Sequence, residues 1–368
     1  MNGFLRRLTL GAVLAAILGA QLATQAEAPL RVAIAGLTHT HVHWLLGRPD
    51  RGDVKLVGVA ESNRELADRY FKQHRLDAGL LHPDLQSMIE AVRPDAVCAF
   101  GTIREHLEVV RVCAPRGIHV MVEKPLAVSL AHAEEMAALA RQHDILLLTN
   151  YETSWYPSTQ EALRRVTAAN GIGELLKLVV NSGHPGPEEI GVNREFLEWL
   201  TDPVDNGAGA LTDFGCYGAN LATAFMGGTA PESVWAVTRQ LKPERYPKVD
   251  DDATIVLAYP RAQVIIQASW NWPVSRKDME LYGADGQIIA PNAGTLHVWN
   301  RDVREPERLT PSRPAPPHDD PFAYLAAAVH GKVDASQGLS SLENNLVVMR
   351  ILDAAMKSAR TGDKVVLD

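Results

Sequence analysis

Between residues 30 and 150, short apolar runs alternate with longer amphipathic stretches, and this rhythm leaves few folds open. RVAIAG, VKLVGVAES, DAVCAFG, IHVMVEKP and ILLLTN are short and mostly aliphatic. Their apolar residues are nearly continuous, the pattern of strands buried on both faces. THVHWLLG, NRELADRYFKQHRL, DLQSMIEAV, EHLEVVRVCAPRG and LAHAEEMAALARQHD fill the intervals with helical spacing. Regular alternation of strand and helix implies parallel pairing, because each connection must cross back over the sheet. The spacing therefore predicts an α/β domain over residues 30–150, a parallel sheet with helices on both faces.

After residue 151 the character changes. A helix is expected near residues 157–168. ELLKLVVNSG, ESVWAVTRQLK, ATIVLAYP, AQVIIQASWNWP, DMELYGADG, QIIAPN and TLHVWN then follow, many with period-two alternation and hairpin punctuation. These predict a large open, mainly antiparallel sheet. The helix LTDFGCYGANLATAFMG interrupts the strands, and LTPSRPAPPHDDP reads as a loop. A last helix, SSLENNLVVMRILDAAMKSARTG, stops on Gly362. Residues 151–368 thus form a second α/β domain, whose final helix is placed to pack back on the first.

Ahead of both, MNGFLRR carries two arginines, LTLGAVLAAILGAQLA is apolar, and TQA and AEA offer small-residue cleavage sites. This layout predicts a secretory signal peptide over residues 1–26 and a periplasmic protein, exported by the general secretory or the twin-arginine route. The apolar core is shorter than the ~20 residues of a bilayer span, so no stable membrane span is expected. A formal charge of −8 without a basic tract argues against nucleic acid as a partner. Cys98, Cys113 and Cys216 are odd in number and lie in apolar contexts, which predicts buried free thiols.

The first strand runs into GLTHTHVHWLLG, where a dinucleotide-binding domain of the Rossmann type places Gly-x-Gly-x-x-Gly. In that register stand Gly36, Thr38 and His41, so one glycine of three is present. Thr38 can cap the helix and bond a phosphate oxygen, and His39 can lie beside the pyrophosphate as a donor. Glu61, 25 residues after Gly36, suits the ribose hydroxyls of NAD, whereas Arg64 leaves NADP open. Alternating His39, His41 and His43 also suggest a metal grip. A helix there would turn His41 away from His39 and His43, so no metal is expected.

Further along, Glu123-Lys124-Pro125 ends a predicted strand, GTIREH follows another, and NGAGALTDFGCYGAN lies beyond. With VDDDATIVLAYP, MELYGADG and SARTGDKVVL, these segments resemble the Gfo/Idh/MocA oxidoreductases, named for glucose–fructose oxidoreductase and inositol dehydrogenase. The resemblance covers nearly all of the chain after residue 30. It implies a Rossmann NAD(P)-binding domain, a substrate domain whose open sheet faces the nicotinamide, and hydride transfer on a sugar or polyol. By the same resemblance, Lys124 stands beside nicotinamide and substrate, Asp213 matches the family's aspartate, and Tyr217 takes the place where many members carry histidine. His106 matches the histidine after the third-strand loop, and Gly101, Thr102 and Glu123 fall on the cofactor's edge. GTI departs from the family's usual Thr-Pro-Asn.

Alcohol oxidation needs a base at the hydroxyl. Tyr217 is assigned that role, with Lys124 lowering its pKa and Asp213, four residues earlier on one helix face, as orienter. His184, Asn193, Trp155 and Trp270 are candidate substrate contacts, with Asn271 and Trp272 beside the last. Asp250, Asp251 and Asp252 read as a solvated strand entry. The leading expectation is an exported oxidoreductase for a sugar or glycoside hydroxyl, holding NAD (or NADP) tightly and self-associating through the second sheet. Alternatives are an NAD-dependent glycosidase or glycoside 3-oxidoreductase that recycles its cofactor, and a non-catalytic sugar-binding protein. A metal hydrolase built on the three histidines stands behind these.

Overall fold

The structure is a computed structural model that describes residues 28–168 and 171–367. The expected signal peptide over residues 1–26 lies outside the described residues. Six strands build the first sheet: β1 (Leu30–Ala35), β2 (Val54–Ala60), β3 (Leu81–His82), β4 (Ala96–Ala99), β5 (His119–Glu123) and β6 (Leu147–Asn150). Their order is β3-β2-β1-β4-β5-β6, all parallel. This is the doubly wound arrangement that the alternation predicted. Chain direction switches sides between β1 and β4, which opens a crevice at the carboxyl ends of the strands. Gly36, Phe100-Gly101, Glu123-Lys124 and Asn150-Tyr151 all lie at that one edge.

Local chemistry accounts for the helices that flank it. Asn63 accepts a hydrogen bond from the Leu66 amide and so starts helix Arg64–His74, which buries Leu66, Ala67, Tyr70 and Phe71. Ser129 caps helix Leu130–Gln142 in the same way, and Ser341 caps Leu342–Thr361, which ends on Gly362 in the left-handed region.

The second sheet has nine strands. They are β7 (Leu175–Gly183), β8 (Ser233–Arg239), β9 (Asp252–Ala258), β10 (Gln263–Ser269), β11 (Arg276–Gly283), β12 (Gly286–Asn292), β13 (Thr295–Asn300), β14 (Glu307–Leu309) and β15 (Val365–Val366). The order is β14-β13-β12-β11-β7-β10-β9-β8-β15, antiparallel except for β7 with β10. One face carries Leu178, Val180, Ile255, Leu257, Val264, Ile266, Met279 and Leu281 into the core. On the other, Trp235, Val256, Ile265 and Val179 stand in one cross-strand row, and Trp235 is exposed.

Two local expectations are corrected, and one helix is new. The helix expected over THVHWLLG is only Val42–Leu46, because Thr38 to His41 form the turn before it. The helix expected from Leu211 is broken into Ala210–Asp213 and Gly215–Phe225 at Phe214. The stretch after the proline-rich loop folds as helix Pro321–Val329, started by Asp320 at the amides of Phe322 and Ala323. Its Phe322 and Leu325 share a core with Leu30, Val32 and Val59, so this late segment completes the first domain. The last helix packs on β8 and also on helix Leu130–Gln142 and β6, as its placement suggested. All three cysteines are free and buried. Among the described residues no helix is long and apolar enough to cross a membrane.

Candidate active site

The turn after β1 is built for close approach. Gly36 has φ +79°, and a Cβ there would lie 2.7 Å from the Cα and N of Gly101. Only glycine meets both demands. Beside this turn is a cleft of about 430 Å³ lined by Gly36, Thr38, Glu61, Asn63, Gly101, Thr102 and His106 among others. Glu61 accepts the amides of Leu37 (2.8 Å) and Asn63 (2.7 Å). Burial nevertheless lifts its carboxyl above the usual range. Glu105 accepts the Thr102 amide and fixes the β4 loop. Arg64, offered as a contact for a 2′-phosphate, points outward beside Asp68 and does not line the cleft. Thr38 Oγ1 in this lining is buried without a partner, whereas His39, expected beside the pyrophosphate, lies outside the lining with its Nε2 toward Glu123. A glycine cradle with an orphaned hydroxyl and a carboxylate at the ribose end fits a dinucleotide.

His106 backs this edge from inside. It is fully buried, and its Nδ1 donates to the Leu126 carbonyl (3.1 Å) just past Glu123-Lys124-Pro125. Burial pushes its pKa down to about 4, below the ordinary 6.5. A folded-state histidine pKa that is depressed contributes stability above pH 6.5, and that stability is lost as pH falls toward 4. His106→Gln is expected to remove roughly 2–3 kcal/mol of the acid destabilisation between pH 6.5 and 4.5. Urea unfolding at the two pH values checks this; equal slopes in parent and variant contradict it.

Lys124 is the centre of a second cluster. Its ammonium forms an ion pair with the Asp213 carboxylate and donates to the Asp213 carbonyl (3.0 Å). Both side chains are almost fully buried. Burial pulls the Lys124 ammonium down, but Asp213, with Cys216 and Glu123, pushes the other way and the net shift is upward. Burial likewise pushes Asp213 up, and Lys124 brings it below the usual carboxylate range. Trp270 Nε1 donates to the second Asp213 oxygen (2.9 Å). Trp270→Phe is expected to cost about 2–4 kcal/mol of stability, the lost donor and the space left by the pyrrole ring both contributing. Thermal and urea melts read it; an unchanged midpoint contradicts it.

Tyr217 lies across from Lys124, whose Nζ is 5.1 Å from the ring centroid. The phenol oxygen instead meets Lys277 Nζ at 3.5 Å. Lys277 also sits 4.5 Å from the ring centroid and is ion-paired with Glu152. The expectation that Lys124 lowers the Tyr217 pKa is therefore corrected. Burial, then Glu152, Cys216 and Asp213, raise it well above its ordinary value. Asp213 and Tyr217 do face one site, across the break at Phe214 rather than along one helix.

The proposed substrate contacts divide. His184 reaches the site: it lines a cleft of about 630 Å³ with Glu152, Phe214 and Lys277, and its ring meets Phe214 edge-on. Burial keeps its pKa low. Asn193 does not reach it; Oδ1 caps helix Arg194–Leu200 and Nδ2 donates to Tyr70 Oη (2.6 Å). Trp155 is spent on Asn150, to which its Nε1 donates (2.9 Å). Trp270 is fully buried and offers no stacking face. Trp272 stands nearer the cleft, with Arg276 over its ring at 5.4 Å. The aspartate run is no solvated strand entry. Asp250 accepts the Gly209 and Leu211 amides, Asp251 accepts those of Leu241 and Lys242, and Asp252 accepts the Ser269 hydroxyl. Sequence reasoning missed Lys277 and Glu152. Charged residues near a turn and on a half-buried strand carry no local mark of a site.

A parallel doubly wound sheet with a glycine cradle, facing a second sheet across a buried Lys–Asp–Tyr cluster, defines a dinucleotide-dependent oxidoreductase fold. Residues 30–151 match the family described as an oxidoreductase family with an NAD-binding Rossmann fold, and residues 161–289 match the GFO/IDH/MocA C-terminal domain. The chain belongs to the Gfo/Idh/MocA family and carries its NAD-binding domain. It is 30% identical over 231 residues to trans-1,2-dihydrobenzene-1,2-diol dehydrogenase of Bos taurus, covering 62% of this chain and 64% of that enzyme. The match thus takes in less than two thirds of that relative's length. It is 27% identical over 251 residues to dTDP-3,4-didehydro-2,6-dideoxy-alpha-D-glucose 3-reductase of Streptomyces antibioticus, covering 68% of this chain and 71% of that enzyme. The crystal structure of aldose-aldose oxidoreductase from Caulobacter crescentus complexed with glycerol shares the fold. Its TM-score is 0.74 at 21% identity, over 92% of this chain and 100% of that one.

Proposed function

We propose that the protein is an NAD-dependent oxidoreductase acting on a secondary hydroxyl of a sugar or glycoside. The observation that carries this is the buried Lys124–Asp213–Tyr217 cluster at the carboxyl edge of the parallel sheet, beside the nucleotide cradle. The names of the relatives support the substrate class: one acts on a cyclic diol, another is a sugar 3-reductase, and the structural neighbour is an aldose-aldose oxidoreductase. The outward Arg64 and the Glu61 carboxylate in the cleft support NAD over NADP.

When bound, nicotinamide supplies the acceptor or donor of hydride at the carbinol carbon. Gly36, Thr38, Gly101 and Thr102 would hold its nucleotide, with Glu61 at the ribose. The chain's own part is the proton and the placement of oxygen. Lys124, fixed by Asp213, presents a positive charge to an alkoxide or carbonyl oxygen. Tyr217 is held as a neutral phenol, so it acts as the acid when a ketone is reduced. In the oxidising direction it must first lose its proton, an event that the Lys277 ammonium favours. Glu152 keeps Lys277 in place, and His184 closes the substrate side. Oxidation rate is therefore expected to climb steadily from pH 7 to pH 10 without a plateau. Tyr217→Phe is expected to lower it about 100- to 10,000-fold and flatten the profile. Keto-sugar formation from a glycoside panel is the readout. Retained rate with the same pH profile removes Tyr217 from the mechanism.

Export to the periplasm rests on residues 1–26 alone; N-terminal sequencing of the native protein, expected to begin at Glu27, tests it. Self-association through the second sheet is supported by the row Trp235, Val256, Ile265 and Val179. Trp235→Glu is expected to lower the mass seen by light scattering.

A further inference from the structure

The histidine stretch does not end in the phosphate turn. His39 and His41 meet because residues 38–41 are a turn and not a helix, and their rings stand 4.6 Å apart, edge to face. His43 leaves in the opposite direction, with its Nδ1 2.8 Å from His74 Nε2. The third member comes from β5. Glu123 Oε2 lies 2.9 Å from His41 Nδ1 and 3.9 Å from His39 Nε2, and one ligand atom of each residue falls within 4.8 Å of the others. Among the described residues this is the one such group.

We propose that His39, His41 and Glu123 form a binding site for a divalent transition-metal ion of the zinc class. Two imidazoles and a carboxylate are the ligand set of sites that keep further positions open, and two nitrogens select zinc, cobalt or iron over magnesium or calcium. The outer groups are those such a site needs. Asn150 Nδ2 donates to Glu123 Oε1 (2.7 Å), and Asn150 Oδ1 accepts Trp155 Nε1 (2.9 Å), so the carboxylate's aim is fixed from behind. His41 is held by stacking on Trp44, with centroids 3.8 Å apart. His39 Nε2 is fully buried, points at the carboxylate and has no partner.

Two changes accompany loading. Glu123 Oε2 and His41 Nδ1 share a proton across 2.9 Å, and the ion displaces it, to His41 Nε2 or to solvent. His39 Nδ1 accepts the His41 amide at 3.2 Å, which leaves the proton on Nε2. Metal at Nε2 moves that proton to Nδ1 and breaks the turn contact. The two hydrogen bonds lost are small beside the metal–ligand bonds that replace them. The ion would lie next to Lys124, where its open position can take a substrate oxygen.

Cobalt(II) is the probe, added to full-length protein that has been stripped with chelator. One cobalt per chain is expected, with visible ligand-field bands that zinc displaces. His41→Ala is expected to weaken binding at least about a hundredfold, and Asn150→Ala about tenfold. His43→Ala should bind like the parent, and circular dichroism of each variant reports folding. Absent bands at saturating cobalt overturn the proposal, as does a folded His41→Ala that binds as tightly as the parent. If His41→Ala does not fold, Asn150→Ala decides, and unchanged affinity there overturns it. The bands report the ion and not hydride transfer, so their absence leaves the oxidoreductase reading standing.

Discussion

Lys124→Ala is expected to lower stability by about 3–5 kcal/mol and turnover by about 100- to 1,000-fold. Lys124 and Asp213 are almost fully buried and paired. Without the ammonium, the Asp213 carboxylate keeps Trp270 Nε1 as its side-chain donor and carries an uncompensated charge in the core. The two effects separate in a second variant. Lys124→Met combined with Asp213→Asn removes both charges, so stability is expected to recover most of the loss while activity stays absent. Urea unfolding and keto-product analysis on the same preparations check this. Recovery of activity in the double variant would show that the pair serves the fold alone.

Gly36→Ala is expected to cost about 3 kcal/mol and to weaken nucleotide retention at least about tenfold. The added Cβ meets the Gly101 backbone at 2.7 Å, and the positive φ adds strain that an L-residue resists. No side chain can move aside, because the obstacle is main chain. Gly52 is the control. It has φ +75°, yet a Cβ there meets nothing within 4 Å. Gly52→Ala is expected to cost only about 1–2 kcal/mol. Equal losses at the two positions would mean that backbone strain, and not the close approach of the β1 and β4 turns, decides.

The first domain was legible because each of its main strands is an apolar run bounded by a turn. Lys124 and Asp213 were legible through the segments around them, and the ion pair unites them across 89 residues of sequence. What escaped was long-range. Trp270 reads as a stacking residue from SWNWP, and nothing local reveals that its indole is committed to Asp213. Asp250 to Asp252 look solvated until the loops they staple are in place. Lys277 lies 60 residues beyond Tyr217, and only the docking of β11 beside β7 brings the two together. The histidine turn was misread for a local reason: the helix begins only at Val42, so His39 and His41 sit in the turn before it and their rings meet, while His43 faces away.

Purified protein loaded with NAD and given a panel of glycosides and cyclic polyols in single turnover shows whether the Lys124 site transfers hydride. Reduced-nicotinamide absorbance is expected to rise with one or more substrates, and the matching ketone to appear in equal amount. Both are expected to be absent in Lys124→Met. Substrate conversion without any change in the nucleotide, or a protein that takes up no NAD, would contradict the account.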